Sequence, residues 1–134
     1  MFLENKVGRL NDLCTLLSQN DVHIVAMCTI DNTDSAITRL VVDYADEARE
    51  ILKKYDFSYS EGSVVAVELE DESKIRRVTS ALAAAEINIH YAYPMLVRPN
   101  GKSGIVLNLE DHDMGMDILS KIGLNVLAVS DIAM

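Results

Sequence analysis

Histidines, cysteines and paired carboxylates build most active sites, and this sequence offers few of them in a useful spacing. His23, His90 and His112 are dispersed, and no two stand at the i, i+4 separation that puts both imidazoles on one helix face. Cys14 and Cys28 have no His or Cys neighbours at metal-ligand spacing. Each falls in an apolar pattern, so both read as small core hydrophobes. The acidic runs Glu70-Asp71-Glu72 and Glu110-Asp111-His112-Asp113 lack the D-x-D-x-D-G order of a calcium loop. Each precedes a helical pattern, where carboxylates cap free N–H groups and meet the positive end of the dipole. No nucleophile stands with a base, so neither an enzyme, a metal nor a cofactor is expected.

The stretch with binding chemistry is Asn5-Lys6-Val7-Gly8-Arg9-Leu10, at the entry to the first helical pattern. A glycine there lets backbone N–H groups approach a ligand, and a helix N-terminus favours a carboxylate or phosphate. Taken alone it reads equally as a tight turn.

The elements that would position this stretch occur twice. A shift of 65 residues places Leu10 on Ile75, Leu13 on Val78, Leu17 on Leu82, Val22 on Ile87 and Ile24 on Ile89. The match continues from Leu40 to Val42 on Ile105 to Leu107. It then slips by two, which predicts a two-residue insertion within Glu110 to Asp117. In the first copy the period predicts a helix over about 8–20, a hairpin of strands 22–30 and 36–43, a helix through Ala48 to Tyr55 and a short strand 57–60. The second copy opens with strand 63–69. A helix through Ile75 to Ala85 follows, then strands 87–97 and 104–109, a helix through Met114 to Ile122 and a closing strand 125–129. This is an α+β chain of two tandem ferredoxin-like βαββαβ units, 1–61 and 62–134, with antiparallel sheets and helices on one face. The first strand of the first unit is truncated, since only Met1 to Leu3 precede the loop. Its inner slot must be filled by another segment, by another chain or by residues before the recorded start.

The charge balance, 12 basic against 21 acidic residues and a net charge of -9, opposes nucleic acid and anionic membrane surfaces. Tyr91 and Tyr93 share one face of a predicted strand, but the field has the wrong sign for RNA stacking. No signal peptide or apolar span is evident, and the expected compartment is the cytoplasm.

The loop Asn5-Lys6-Val7-Gly8-Arg9-Leu10, followed by an apolar helix and Asp21-Val22-His23-Ile24, resembles the N-x-P-G-x-L … G-V-N-I pattern of ACT domains. The second copy offers Glu86-Ile87-Asn88-Ile89 at the matching place. The resemblance covers the whole chain as a tandem pair and implies an amino-acid site at the seam between two units. It implies that Asn5 and Gly8 of the loop face Asn88 of the other unit, with backbone N–H groups around Gly8 and Arg9 taking the ligand's carboxylate. Leu10 and Ile89 would border its side chain. The converse site, with Glu70, Ser73 and His23, is degenerate, and Val7 stands where the family has proline. The function so implied is a non-catalytic regulatory protein that binds a small amino acid and acts in trans on its own assembly or on a partner metabolic enzyme. The alternative is an interaction or oligomerisation module whose ligand site has decayed. A homodimer would cover the open slot.

Overall fold

A computed structural model describes residues 6–31, 36–97 and 101–134. In chain order its elements are α1 (Lys6–Gln19), β1 (Ile24–Asp31), β2 (Ala36–Val42), α2 (Ala45–Lys54), β3 (Ser60–Leu69), α3 (Ile75–Ala84), β4 (Ile89–Pro94), β5 (Ser103–Leu109), α4 (His112–Lys121) and β6 (Asn125–Ala133). The helices follow the expected periods. Leu13 and Leu17 of α1, Ala48, Ile51 and Leu52 of α2, Val78 and Leu82 of α3, and Leu119 of α4 are all buried. The acidic runs act as caps. Asp71 accepts from the Ser73 N–H at 2.9 Å, and Asp111 accepts from the Met114 N–H at 3.1 Å. After each helix one residue turns left-handed: Asp21 (φ 57°), Asp56 (56°), Glu86 (57°) and Gly123 (91°).

The strands form one six-stranded antiparallel sheet in the order β1-β2-β6-β3-β5-β4, rather than separate sheets for each unit. The reason lies in β3 and β6, which run side by side from Ser60↔Ala133 to Glu68↔Asn125. The expected strands 57–60 and 63–69 are instead a connection and one ten-residue strand. The closing strand runs four residues beyond Val129. Its end pairs with β2 through Arg39↔Ala133 and Leu40↔Ile132, and Thr38 and Met134 exchange backbone hydrogen bonds at 3.0 Å. The slot next to β2 is thus filled by the far end of the same chain, and filling it needs no second copy. Met1 to Leu3 lie outside the described residues.

The repeat register also needs correction. Ile24 pairs with Val42 and Ile89 with Leu109, and a bulge follows each pair. The two outer hairpins therefore already differ by two residues in their second strands. The insertion lies in the hairpin loop, between the pair Ile30↔Ile37 and the bond from Met95 N–H to the Gly104 carbonyl, and not in Glu110 to Asp117.

Alternation along the strands gives the sheet two apolar faces. Leu40, Val42 and Ile132 pack under α1 and α2, while Val65, Val67, Leu107 and Leu109 pack under α3 and α4. The opposite, helix-free face holds a third cluster of Ala26, Val41, Val64, Tyr93 and Val106. It is buried because the sheet curls until its outer strands meet. Ala26 bridges Met95, and the Leu96 N–H donates to the Val25 carbonyl at 2.7 Å. Curling in this way covers sheet edges that would otherwise invite pairing with another chain.

Candidate functional site

At the start of α1 the sequence supplies no carboxylate of its own to the first turn, whereas α2 carries Asp46 and Glu47 there and α4 carries Asp113. α3 likewise has none, so the positive ends of α1 and α3 are the ones suited to a ligand's anion. Asn5 lies outside the described residues, as does the side chain of Val7, which belongs to the first turn. Gly8, Arg9 and Leu10 are half-buried. The Arg9 guanidinium lies over the Phe57 ring, 3.8 Å from its centroid. Beside it a cleft of about 420 Å³ opens between α1 and the segment Tyr55 to Phe57, its walls carrying Arg9, Asp12 and Thr15. That volume is within the range of small-molecule sites, and the walls present both signs of charge.

The strand register decides what else lies at this end of the sheet. Phe57 precedes β3 by three residues, so Arg9 marks the end at which β3 begins. Leu107 pairs with Val65, Ile89 pairs with Leu109, and the Asn108 amide donates to the Ser63 carbonyl at 3.1 Å. Asn88, just before β4, is therefore at that same end. Its backbone N–H and side-chain Nδ2 both donate to Glu110 Oε1, at 3.1 and 3.3 Å. With its nitrogen so engaged, the amide offers its oxygen as an acceptor. Ile89 packs against the core under α3 and α4. His23 immediately precedes β1, and because Ile24 pairs with Val42 and Leu40 with Ile132 it stands at nearly the same level along β3 as Asn88, near Ser63. Its ring Nδ1 is 3.0 Å from Asp43 Oδ2, and the backbone N–H of His23 donates to Asp43 Oδ1 at 2.8 Å. Burial works to raise the Asp43 carboxyl, but these hydrogen bonds outweigh it and hold the group below its usual range.

A second constellation lies on the helix-free side. Asp131, fully buried on β6, accepts from the Tyr91 and Tyr93 hydroxyls at 2.9 and 3.0 Å, both on Oδ2. Arg39 of β2 donates to the Tyr91 hydroxyl at 3.0 Å, stacks 3.9 Å from that ring's centroid and lies 3.9 Å from Asp131 Oδ2. Burial and then the bond to Asp131 push the Tyr91 hydroxyl up to about 12, and burial with the Asp131 charge pushes Tyr93 up as well. Both therefore remain donors near neutral pH. Sequence reading missed Arg39 and Asp131. The available signals were an Arg inside the apolar run Ala36 to Val42, and an Asp followed by Ile132 and Ala133 just past the expected end of the last strand. Among the described residues no three His, Cys, Asp or Glu side chains gather as metal ligands, and no helix is long and apolar enough to cross a membrane.

No protein of curated function matches the sequence. The solved structure of protein BT0572 from Bacteroides thetaiotaomicron is similar, with a TM-score of 0.81 and 27% identity over 94% of this chain and 87% of that one. The sequence model of the family described as an ACT domain pair matches residues 1–133. With the match spanning nearly every residue, and a fold of α+β elements on one antiparallel sheet, the chain belongs to the ACT domain pair family.

Proposed function

We propose that this chain is a non-catalytic regulatory protein that binds a small amino acid where α1 begins, with Asn88 contributing from the other half of the molecule. What supports this reading is the start of α1, with no acidic residue in its first turn and a cleft beside Arg9, together with the Asn88 amide, whose nitrogen donates to Glu110 and whose oxygen is thereby turned to accept. Backbone N–H groups around Gly8 and Arg9 take the ligand's carboxylate, and the Asn88 oxygen, with Asn5, accepts from its ammonium group. Leu10 borders the ligand, and the carboxylate of Glu110 beside Asn88 adds attraction for the ammonium. ACT domains are regulatory modules, so the readout is a change of state in the protein or in a partner enzyme. Such a change requires the ligand to bind one state better than another. The division into units at 1–61 and 62–134 belongs to the same reading, with β3 and β6 each lending one end to either unit.

A second reading, an oligomerisation module with a decayed site, is favoured by the converse position, where the His23 ring is held by Asp43. Isothermal titration of the full chain with each of the twenty amino acids separates the two. The regulatory reading expects saturable binding by at least one amino acid, weakened at least tenfold in Asn88→Ala. Twenty flat titrations with folded protein would favour the decayed module.

A further inference from the structure

β6 has two edges, and only one is covered along its whole length. Towards β3 the ladder runs without a bulge from Ser60↔Ala133 to Glu68↔Asn125. Towards β2 it holds at Arg39↔Ala133 and Leu40↔Ile132 and at the bonds that Thr38 and Met134 exchange, and then β2 leaves it. Because Met134 turns both its N–H and its carbonyl to β2, the two-residue period turns those of Ala128 and Val126 the same way. No described residue pairs with them there. The corresponding gap at the start of β3, before its first pair with β5, is closed by a side chain: the Asn108 amide donates to the Ser63 carbonyl at 3.1 Å. Proteins ordinarily guard an open edge with a charge, a proline or a bulge. Ile122 to Ser130 contains neither charge nor proline. Leu127, between the two outward-facing positions, is 62% exposed. It shares the helix-free face with Val129, which packs against the cluster there.

We infer that this edge pairs with the same edge of a second copy, antiparallel about a two-fold axis at Leu127. In that register Val126 stands opposite the partner's Ala128 and Ala128 opposite the partner's Val126, each pair exchanging N–H···O bonds in both directions. Leu127 meets the partner's Leu127 in the close position between those pairs, which covers both apolar side chains. A second copy is the occupant this pattern fits, since two outward-facing residues with one apolar residue between them are complementary to themselves when one strand is reversed. Charge agrees. Copies carrying a net charge of -9 repel one another, and the stretch Ile122 to Ser130 brings no like charges together. The same repulsion makes the pairing weak in low salt and stronger as salt screens it. The edge is separate from the start of α1, so this inference and the amino-acid site can stand or fall independently.

Sedimentation equilibrium of the full chain, without amino acid, over a range of protein concentrations in low and high salt is the test. A monomer–dimer equilibrium is expected, with the dimer fraction rising with salt. Ala128→Pro removes an outward N–H that the single chain leaves unused, and Leu127→Glu sets two like charges on the axis. Each is expected to weaken association by about tenfold or more. Should Ala128→Pro fail to fold by circular dichroism, Leu127→Glu decides. In hydrogen exchange the amides of Val126 and Ala128 are expected to slow as the dimer forms. A chain that stays monomeric in high salt at every concentration overturns the inference. So does a dimer of unchanged affinity in folded Leu127→Glu, because it uses another surface, and so does a dimer in which Val126 and Ala128 exchange as fast as in the monomer.

Discussion

Asp21 and Glu86 hold the two positions where the resembled family pattern has glycine, and both are left-handed with φ 57°. A side chain in that conformation costs about 1 kcal/mol or somewhat more relative to glycine. Asp21→Gly and Glu86→Gly are each expected to stabilise by about 1 kcal/mol, read as a melting-temperature rise of about 3–5 °C. Glu61 offers a pH test. Hydrogen bonds from the Arg49 guanidinium, opposed by burial, hold its carboxyl below the usual value. A lowered folded pKa means that the contribution is present above the ordinary carboxylate value and is lost as pH falls through the lowered one. Denaturant titrations across that acid range should therefore show a shallower loss of stability for Glu61→Gln than for wild type. The residue-level site was only partly legible. The family pattern singles out Asn88 and Gly8 for the proposed site, whereas the pairing of Asp131 with Tyr91 and Tyr93 depends on strand neighbours far apart in sequence.

The element that decides the fold is β6. Helix positions were readable because apolar residues such as Leu13, Leu17, Val78 and Leu82 recur at helical spacing, and those side chains are buried. The missing first strand was readable as a gap and its remedy was not, because Asp131-Ile132-Ala133 carries no local sign that it inserts beside β2. The two-residue slip was assigned to the wrong loop for a related reason: a shift of two keeps every side chain on its face, so hydrophobic pattern cannot tell the registers apart. If the end of β6 completes the first half, Ile132→Ala removes packing from the core under α1 and α2 and costs about 2–5 kcal/mol. Leu127→Ala on the same strand, at a side chain 62% exposed, should stay within about 0.5 kcal/mol. Chemical denaturation of both variants checks the contrast.

At the scale of the molecule, two long central strands tie the halves together, and the outer strands close on one another. A ligand held by residues from both halves therefore acts on a connected body. The net charge of -9 opposes approach to phosphate backbones. The central claim is that α1 and the Asn88 turn form one amino-acid site. Hydrogen exchange of the full chain, with and without each of the twenty amino acids, tests it most directly. With at least one of them, the amides of Gly8 to Leu10 and of Glu86 to His90 should slow together. If exchange in those two segments is unchanged by all twenty, the account of the site is contradicted.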